Sequence, residues 1–157
     1  MTSRRILLLG GAALVAGVVA AGTLVPGPVL ASSDLVFVDA AGVAINGYDP
    51  VAYFTEGKPV EGSSDFATEW MGATWHFSSA ENRDMFVAAP EDYAPQYGGY
   101  CAFAVSYGST ASTVPEAWTV HNGKLYLNFS LGVRDRWRAD IDERIALADK
   151  NWPGVLN

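Results

Sequence analysis

The fold is decided by residues 66–86, which read FATEWMGATWHFSSAENRDMF. Two runs with strand-like alternation flank Met71-Gly72, which has the length of a two-residue hairpin turn. The implied register pairs Trp70 with Ala73, Thr68 with Trp75, and Phe66 with Phe77. Because side chains alternate across a strand, the large aromatic residues share one face and His76 lies on the other.

A helix is predicted directly after this hairpin. Ser78 and Glu81 have the spacing of a capping box, in which two side chains satisfy free backbone N–H groups. An apolar pattern continues through Met85 and Phe86 until Pro90, which cannot continue a helix. We therefore expect Ser78 to cap a helix that ends before Pro90.

A second hairpin is centred on Asn122-Gly123, the strongest short-range turn signal in the chain. Apolar residues at four-residue spacing then predict one helix over about residues 131–150. With no β-α-β alternation, the chain is predicted to be α+β: small antiparallel β-hairpins packed with short helices and a long C-terminal helix. The register of the hairpin around Asn122-Gly123 places four residues together on the core face: Trp118, Val120, Leu125 and Leu127.

Residues 1–31 have the composition of an export signal. Arg4-Arg5 precede an apolar stretch, and a small-residue cleavage site ends at Ala31. The paired arginines are typical of the twin-arginine class, with an ordinary secretory signal as the alternative. We expect residues 32–157 to form a single domain, periplasmic or secreted, that does not insert into a membrane after cleavage. A monomer or homodimer is expected.

The charge balance limits the partners. The chain carries 10 basic and 17 acidic residues, a formal charge of −7. Cleavage after Ala31 removes Arg4 and Arg5 and leaves eight basic residues, so the charge becomes −9. Such an acidic domain is unsuited to nucleic acid or anionic lipid, and it favours cations.

Cys101 is the only cysteine, and it follows Tyr97-Gly-Gly-Tyr100. It is either a small buried apolar residue or a thiolate at the start of a helix, where backbone N–H groups favour the negative charge. A thiolate serves soft-metal binding or redox chemistry. His76 is the candidate second ligand, and no catalytic residue is predicted. The candidate pocket beside Cys101 consists of Tyr48, Tyr97, Gly98, Gly99 and Tyr100.

Three segments of the chain, residues 45–54, 72–86 and 90–102, resemble the YHS domain, and more narrowly its exported stand-alone branch. Trp75-His-Phe-Ser78 falls where the family carries the motif that names it. The resemblance implies a family core over about residues 45–105, extended by the C-terminal hairpin and helix. Relatives in heavy-metal and copper transport ATPases use cysteines as metal ligands. This sequence has Ala52, Ser78 and Asn82 where that pattern places its three cysteines.

The resemblance and the lone thiol together predict a periplasmic soft-metal-binding module centred on Cys101. Copper or another soft transition metal would be its cofactor. The first alternative is a thiol redox protein in which Cys101 is oxidised and then resolved by a redox partner protein. The second is a non-catalytic accessory or ligand-binding domain that uses its aromatic surface. The absence of recognisable catalytic motifs favours a non-enzymatic role.

Overall fold

A computed structural model describes residues 35–157. The predicted export signal, residues 1–31, lies outside the described residues. The described chain is mixed helix and sheet, so the predicted α+β class is confirmed. Its two hairpins are β1 (Ser63–Trp70) with β2 (Ala73–Phe77), and β3 (Trp118–His121) with β4 (Lys124–Leu127). Its six helices are α1 (Ala52–Thr55), α2 (Ala80–Ala88), α3 (Pro90–Tyr93), α4 (Ala102–Ser106), α5 (Leu131–Ala139) and α6 (Ile141–Asn151).

The first hairpin has the predicted turn and most of the predicted register. Trp70 pairs with Ala73 and Thr68 with Trp75. The turn residues Met71 and Gly72 both have positive φ, as a tight hairpin turn requires. The predicted pair of Phe66 with Phe77 is wrong, because the register shifts between Ser63 and Ala67 and Ser63 lies opposite Phe77. Extra residues in β1 therefore bulge the strand where no turn signal constrains it.

Helix α2 begins one residue later than predicted. Ser79, not Ser78, is its N-cap, and the Ser79 hydroxyl accepts a hydrogen bond of 3.1 Å from the backbone N–H of Asn82. The hydroxyl of Ser78 instead donates to Asp49 at 2.7 Å. Two consecutive serines offer two candidate caps, and a contact with a distant residue decides between them.

The second hairpin has the predicted register, with Trp118 opposite Leu127 and Val120 opposite Leu125. Leu125 and Leu127 are buried as expected, but Val120 is 36% exposed, so its place in the core was wrongly predicted. Strand β4 is covered on both faces, because the ring of Tyr126 packs on Trp137 of α5 at 5.1 Å. A strand covered on both faces does not follow a simple alternating pattern.

The predicted long C-terminal helix is divided into α5 and α6. Asp140 separates them with φ −131° and ψ 44°, values outside the helical region. Trp137 in α5 and Ala148 in α6 are both fully buried. The break lets two short helices pack on the same domain at different angles, and α6 packs against α4.

Two hydrophobic clusters form the core. The first joins both hairpins to α2 and includes Ile45, Trp75, Phe77, Phe86 and Leu125. The second joins α4, β4 and the last two helices and includes Tyr97, Ala102, Val105, Tyr126, Trp137 and Ala148. Among the helices of residues 35–157, none is long and apolar enough to span a membrane.

Candidate functional site

A cavity of about 570 Å³ lies where the two clusters meet. Its volume falls within the range of about 300 to 1,000 Å³ that is usual for small-molecule sites. The first hairpin, the loop after α3, the start of β4 and the end of α6 all contribute to its wall. The lining residues are Leu35, Val36, Trp70, Met71, Trp75, Glu91, Ala94, Pro95, Gln96, Tyr97, Gly98, Lys124, Asp149, Trp152 and Pro153.

Four aromatic rings form much of the wall, and they are arranged as two pairs. Trp70 and Trp75 meet at 5.8 Å with an angle of 60° between their planes. Tyr97 and Trp152 meet at 6.1 Å and 62°. The indole N–H of Trp75 donates a 3.0 Å hydrogen bond to the backbone oxygen of Trp70. Contacts between neighbouring rings therefore hold the wall in shape without a ligand.

Two acidic side chains, Glu91 and Asp149, and one basic side chain, Lys124, line the cavity. The Tyr97 hydroxyl donates a 2.8 Å hydrogen bond to Asp149, which orients that carboxylate. Burial, and then Asp149, raises the pKa of Tyr97 well above its ordinary value, so the hydroxyl stays a donor. Glu91 and Lys124 are exposed at the cavity. Within residues 35–157, neither of them has an ion-pair partner.

The Gly98-Gly99 pair serves close packing of the backbone. A Cβ on Gly98 would lie 1.9 Å from the backbone oxygen of Leu35, and one on Gly99 would lie 2.5 Å from Ile45. Both glycines also have positive φ, at 61° and 86°. Close packing and positive φ therefore account for both glycines.

Cys101 is buried, with 1% of its surface exposed. It is the N-cap residue of α4, a helix of only five residues. Its thiol donates to the side-chain oxygen of Asn128 at 3.5 Å, and the same oxygen accepts a 3.1 Å bond from the backbone N–H of Phe103. A thiolate here would face that oxygen without a proton between them, so the observed arrangement suits the neutral thiol.

His76 has different surroundings from Cys101. It is half-buried on β2, opposite Ala67, and its Nδ1 lies 3.5 Å from the place a Cβ on Gly47 would take. Cys101 instead lies against Asn128 and hydrogen-bonds the backbone of Ala111. In the part of the chain that the structure describes, no group of three or more His, Cys, Asp or Glu residues is placed to hold a metal ion.

The candidate pocket residues are placed in different parts of the domain. Tyr97 and Gly98 line the cavity, and Tyr100 packs on the wall residue Trp152 at 6.1 Å. Gly99 is buried against Ile45, and Tyr48 forms an isolated bridge with Glu61. Sequence reasoning missed Trp70, Trp75, Glu91, Asp149 and Trp152, because no local pattern joins residues so far apart. The high aromatic content was the only signal.

A second polar centre is built on Asp49, which is fully buried. One carboxylate oxygen accepts hydrogen bonds from the backbone N–H groups of Val51 and Ala52, at 2.8 and 3.2 Å. The other accepts from the backbone and hydroxyl of Ser78, at 2.9 and 2.7 Å, and from the side-chain amide of Asn82, at 2.7 Å. Five donors thus satisfy this carboxylate and join α1 to the start of α2.

The comparisons with known proteins match a segment that begins two residues after Asp49. Residues 51–97 match the family model of the YHS domain. The matched segment makes up less than a third of the chain. The resemblance noted from the sequence is confirmed for that segment, and YHS domains are generally associated with copper binding. No curated protein and no solved structure matches the chain at a significant level.

The metal-ligand pattern of YHS relatives does not fit the residues of this domain. The three positions where that pattern places cysteines are Ala52, Ser78 and Asn82, and all three donate hydrogen bonds to Asp49. The donors are a backbone N–H, a hydroxyl and an amide, none of which is a soft ligand. At the three positions where that pattern has thiolates, this chain therefore has hydrogen-bond donors to the buried carboxylate of Asp49.

Proposed function

We propose that this protein is an exported, non-catalytic binding domain that holds a small organic ligand in the cavity between its two core clusters. The observation that carries the proposal is the cavity itself: about 570 Å³, with two pairs of aromatic rings in its wall. Export follows from the predicted signal over residues 1–31 and is part of the same proposal.

The wall supports ligand binding because it is already formed. Trp75 is held by its bond to the Trp70 backbone, and Tyr97 by its bond to Asp149. A ligand that enters such a cavity contacts the partly exposed rings of Trp70 and Trp152 while ordering few side chains. Binding is tighter when few side chains become ordered, because less conformational entropy is lost.

The chain's five tryptophans provide the test. Trp70, Trp75 and Trp152 line the cavity, whereas Trp118 packs on Tyr53 and Trp137 on Tyr126. In a screen of small aromatic and aliphatic compounds against the cleaved, exported protein, we expect saturable shifts of the three cavity indole N–H signals in the NMR spectrum. The signals of Trp118 and Trp137 serve as internal references and should not move.

Two matched substitutions complete this experiment. Trp152→Ala removes one ring from the wall and should weaken every cavity ligand by about tenfold or more, as expected for an aromatic anchor. Trp118→Ala removes a partly buried ring outside the cavity and should leave affinity unchanged. Equal shifts in all five indole signals, or no saturable ligand in the screen, would exclude the proposal.

Soft-metal binding at Cys101, with His76 as second ligand, is the second candidate. The YHS match favours it, but the Asn128 contact beside the thiol would have to change. Asn128 is fully buried, and within residues 35–157 its side-chain nitrogen has no hydrogen-bond partner. If the Asn128 amide turned over, this nitrogen would donate to a Cys101 thiolate, at the expense of the bond to Phe103.

Copper(I) titration of exported protein distinguishes the two candidates. If the metal site is at Cys101, the Cys101→Ser variant should no longer bind stoichiometric Cu(I), whereas Trp152→Ala should still bind it. His76→Asn should weaken that binding. The thiol redox alternative is tested with the same variants, since reaction with peroxide should disappear only in Cys101→Ser. If wild type and Cys101→Ser hold equal metal and react equally, Cys101 is a packing residue.

A further inference from the structure

We propose that the ligand of this cavity carries a positively charged amine or quaternary ammonium group on an apolar body. This inference rests on the proposed function and names its ligand class. It comes from two features that the cavity combines, tryptophan faces and carboxylates.

The carboxylates come from separate elements. Glu91 lies in the first turn of α3 and Asp149 near the end of α6, and both line the cavity. Asp149 has one oxygen engaged by the Tyr97 hydroxyl at 2.8 Å, so its position is fixed. Within the described residues, Glu91 has no cationic partner. A bound ammonium group would supply the positive charge that these two carboxylates lack.

The rings favour the same charge. An aromatic face is electron-rich, and tryptophan attracts a cation most strongly. In each wall pair one ring is buried, Trp75 or Tyr97, so a ligand would meet the partly exposed rings of Trp70 and Trp152. Two accessible tryptophan rings in one wall therefore favour a cationic group over a neutral group of the same shape.

Lys124 is the one opposing charge on the cavity wall. It is exposed, at the start of β4. With Glu91 and Asp149 ionised, the wall still carries an excess of one negative charge. The whole chain has a formal charge of −7, so the surrounding field also attracts cations and repels anions.

Three probes with the same phenethyl body test the charge preference: phenethylammonium, phenylethanol and phenylacetate. Affinity is measured by titration with indole NMR detection. We expect the cation to bind at least about tenfold more tightly than the neutral alcohol, the combined effect of a carboxylate and ring faces. Phenylacetate should bind most weakly.

Charge variants then separate the contributions. Asp149→Asn keeps an acceptor for the Tyr97 hydroxyl, and Glu91→Gln keeps the side-chain shape, so each should reduce the ratio of phenethylammonium affinity to phenylethanol affinity. Lys124→Gln is the matched control of opposite sign and should strengthen cation binding. If the cation and the alcohol bind equally, or the anion binds best, the inference is wrong and the proposed function stands. If no probe binds, both are wrong.

Discussion

At the scale of single residues, Asp49 is the side chain on which the YHS segment most depends. Asp49→Ala leaves five donors without their acceptor, and each buried donor left unsatisfied costs about 1 to 3 kcal/mol. Some donors will find water, so we expect the free energy of unfolding to fall by at least about 3 kcal/mol. Urea unfolding followed by tryptophan fluorescence measures this loss.

Asp39→Ala is the matched control for Asp49. Asp39 also accepts two backbone hydrogen bonds, from Ala41 and Val43, but it is exposed. Water replaces those bonds, so the loss should stay below about 1 kcal/mol. Equal losses at the two positions would mean that the Asp49 network contributes nothing beyond local turn formation.

The same network predicts the effect of placing cysteines at Ala52, Ser78 and Asn82, where the metal-ligand pattern of YHS relatives has them. Ser78 and Asn82 both reach one oxygen of Asp49, at 2.7 Å each, so substituents at these positions converge on one point. We therefore expect the triple variant A52C/S78C/N82C to gain one equivalent of a soft metal such as Zn²⁺ or Cu(I), which wild type lacks at this place. Binding is measured by competition with a chromophoric chelator. A folded triple variant with no added metal affinity would contradict this reading.

At the scale of elements, the helices that border the core depend on serine caps. Ser79 caps α2 and Ser130 caps α5, each by accepting from the backbone N–H three residues later. Ser79→Ala and Ser130→Ala should each reduce stability by about 1 kcal/mol, whereas Ser79→Asp, which keeps an acceptor, should not. Exposed Ser112 provides a control substitution.

Hydrogen exchange at the backbone N–H of Asn82 distinguishes the role of Ser79 from that of Ser78. Because Ser79 accepts from the Asn82 backbone N–H, Ser79→Ala should speed exchange of that proton more than Ser78→Ala at matched overall stability. Ser78→Ala should act instead through its bonds to Asp49. Faster exchange of the Glu81 backbone N–H in Ser78→Ala than in Ser79→Ala would restore the capping box predicted from the sequence.

Elements with a local signal were predicted well, and features that depend on distant contacts were not. Met71-Gly72 and Asn122-Gly123 specify their turns, and the turn fixes the nearby register. The bulge in β1 and the break at Asp140 lie away from such signals. The cavity joins Trp70 to Trp152, and the pairing of residues so far apart leaves no trace in local hydropathy. Tyr97 and Gly98 were predicted because they stand shortly before Cys101 in the sequence.

At the scale of the whole molecule, buried tyrosines in the two hydrophobic clusters make the stability of the fold depend on pH. Burial is the main cause that raises the pKa of Tyr53, Tyr97 and Tyr126 above the ordinary value of 10.0. In the unfolded chain these phenols lose their protons above about pH 10, while the folded protein retains them. Stability is therefore constant with respect to these groups below that pH and falls as the pH rises past it.

Each such tyrosine should contribute a slope of about 1.4 kcal/mol per pH unit above pH 10. Tyr97→Phe removes one phenol together with its bond to Asp149. We expect the free energy of unfolding to fall by about 1 kcal/mol at neutral pH. Above pH 10 it should fall less steeply than in wild type, by about 1.4 kcal/mol per pH unit. Tyr107→Phe, at a residue that is 64% exposed, removes no buried phenol and serves as the control. Urea unfolding between about pH 8 and pH 11 measures both quantities. An alkaline slope that is the same in Tyr97→Phe and wild type would show that the Tyr97 proton does not distinguish the folded from the unfolded chain.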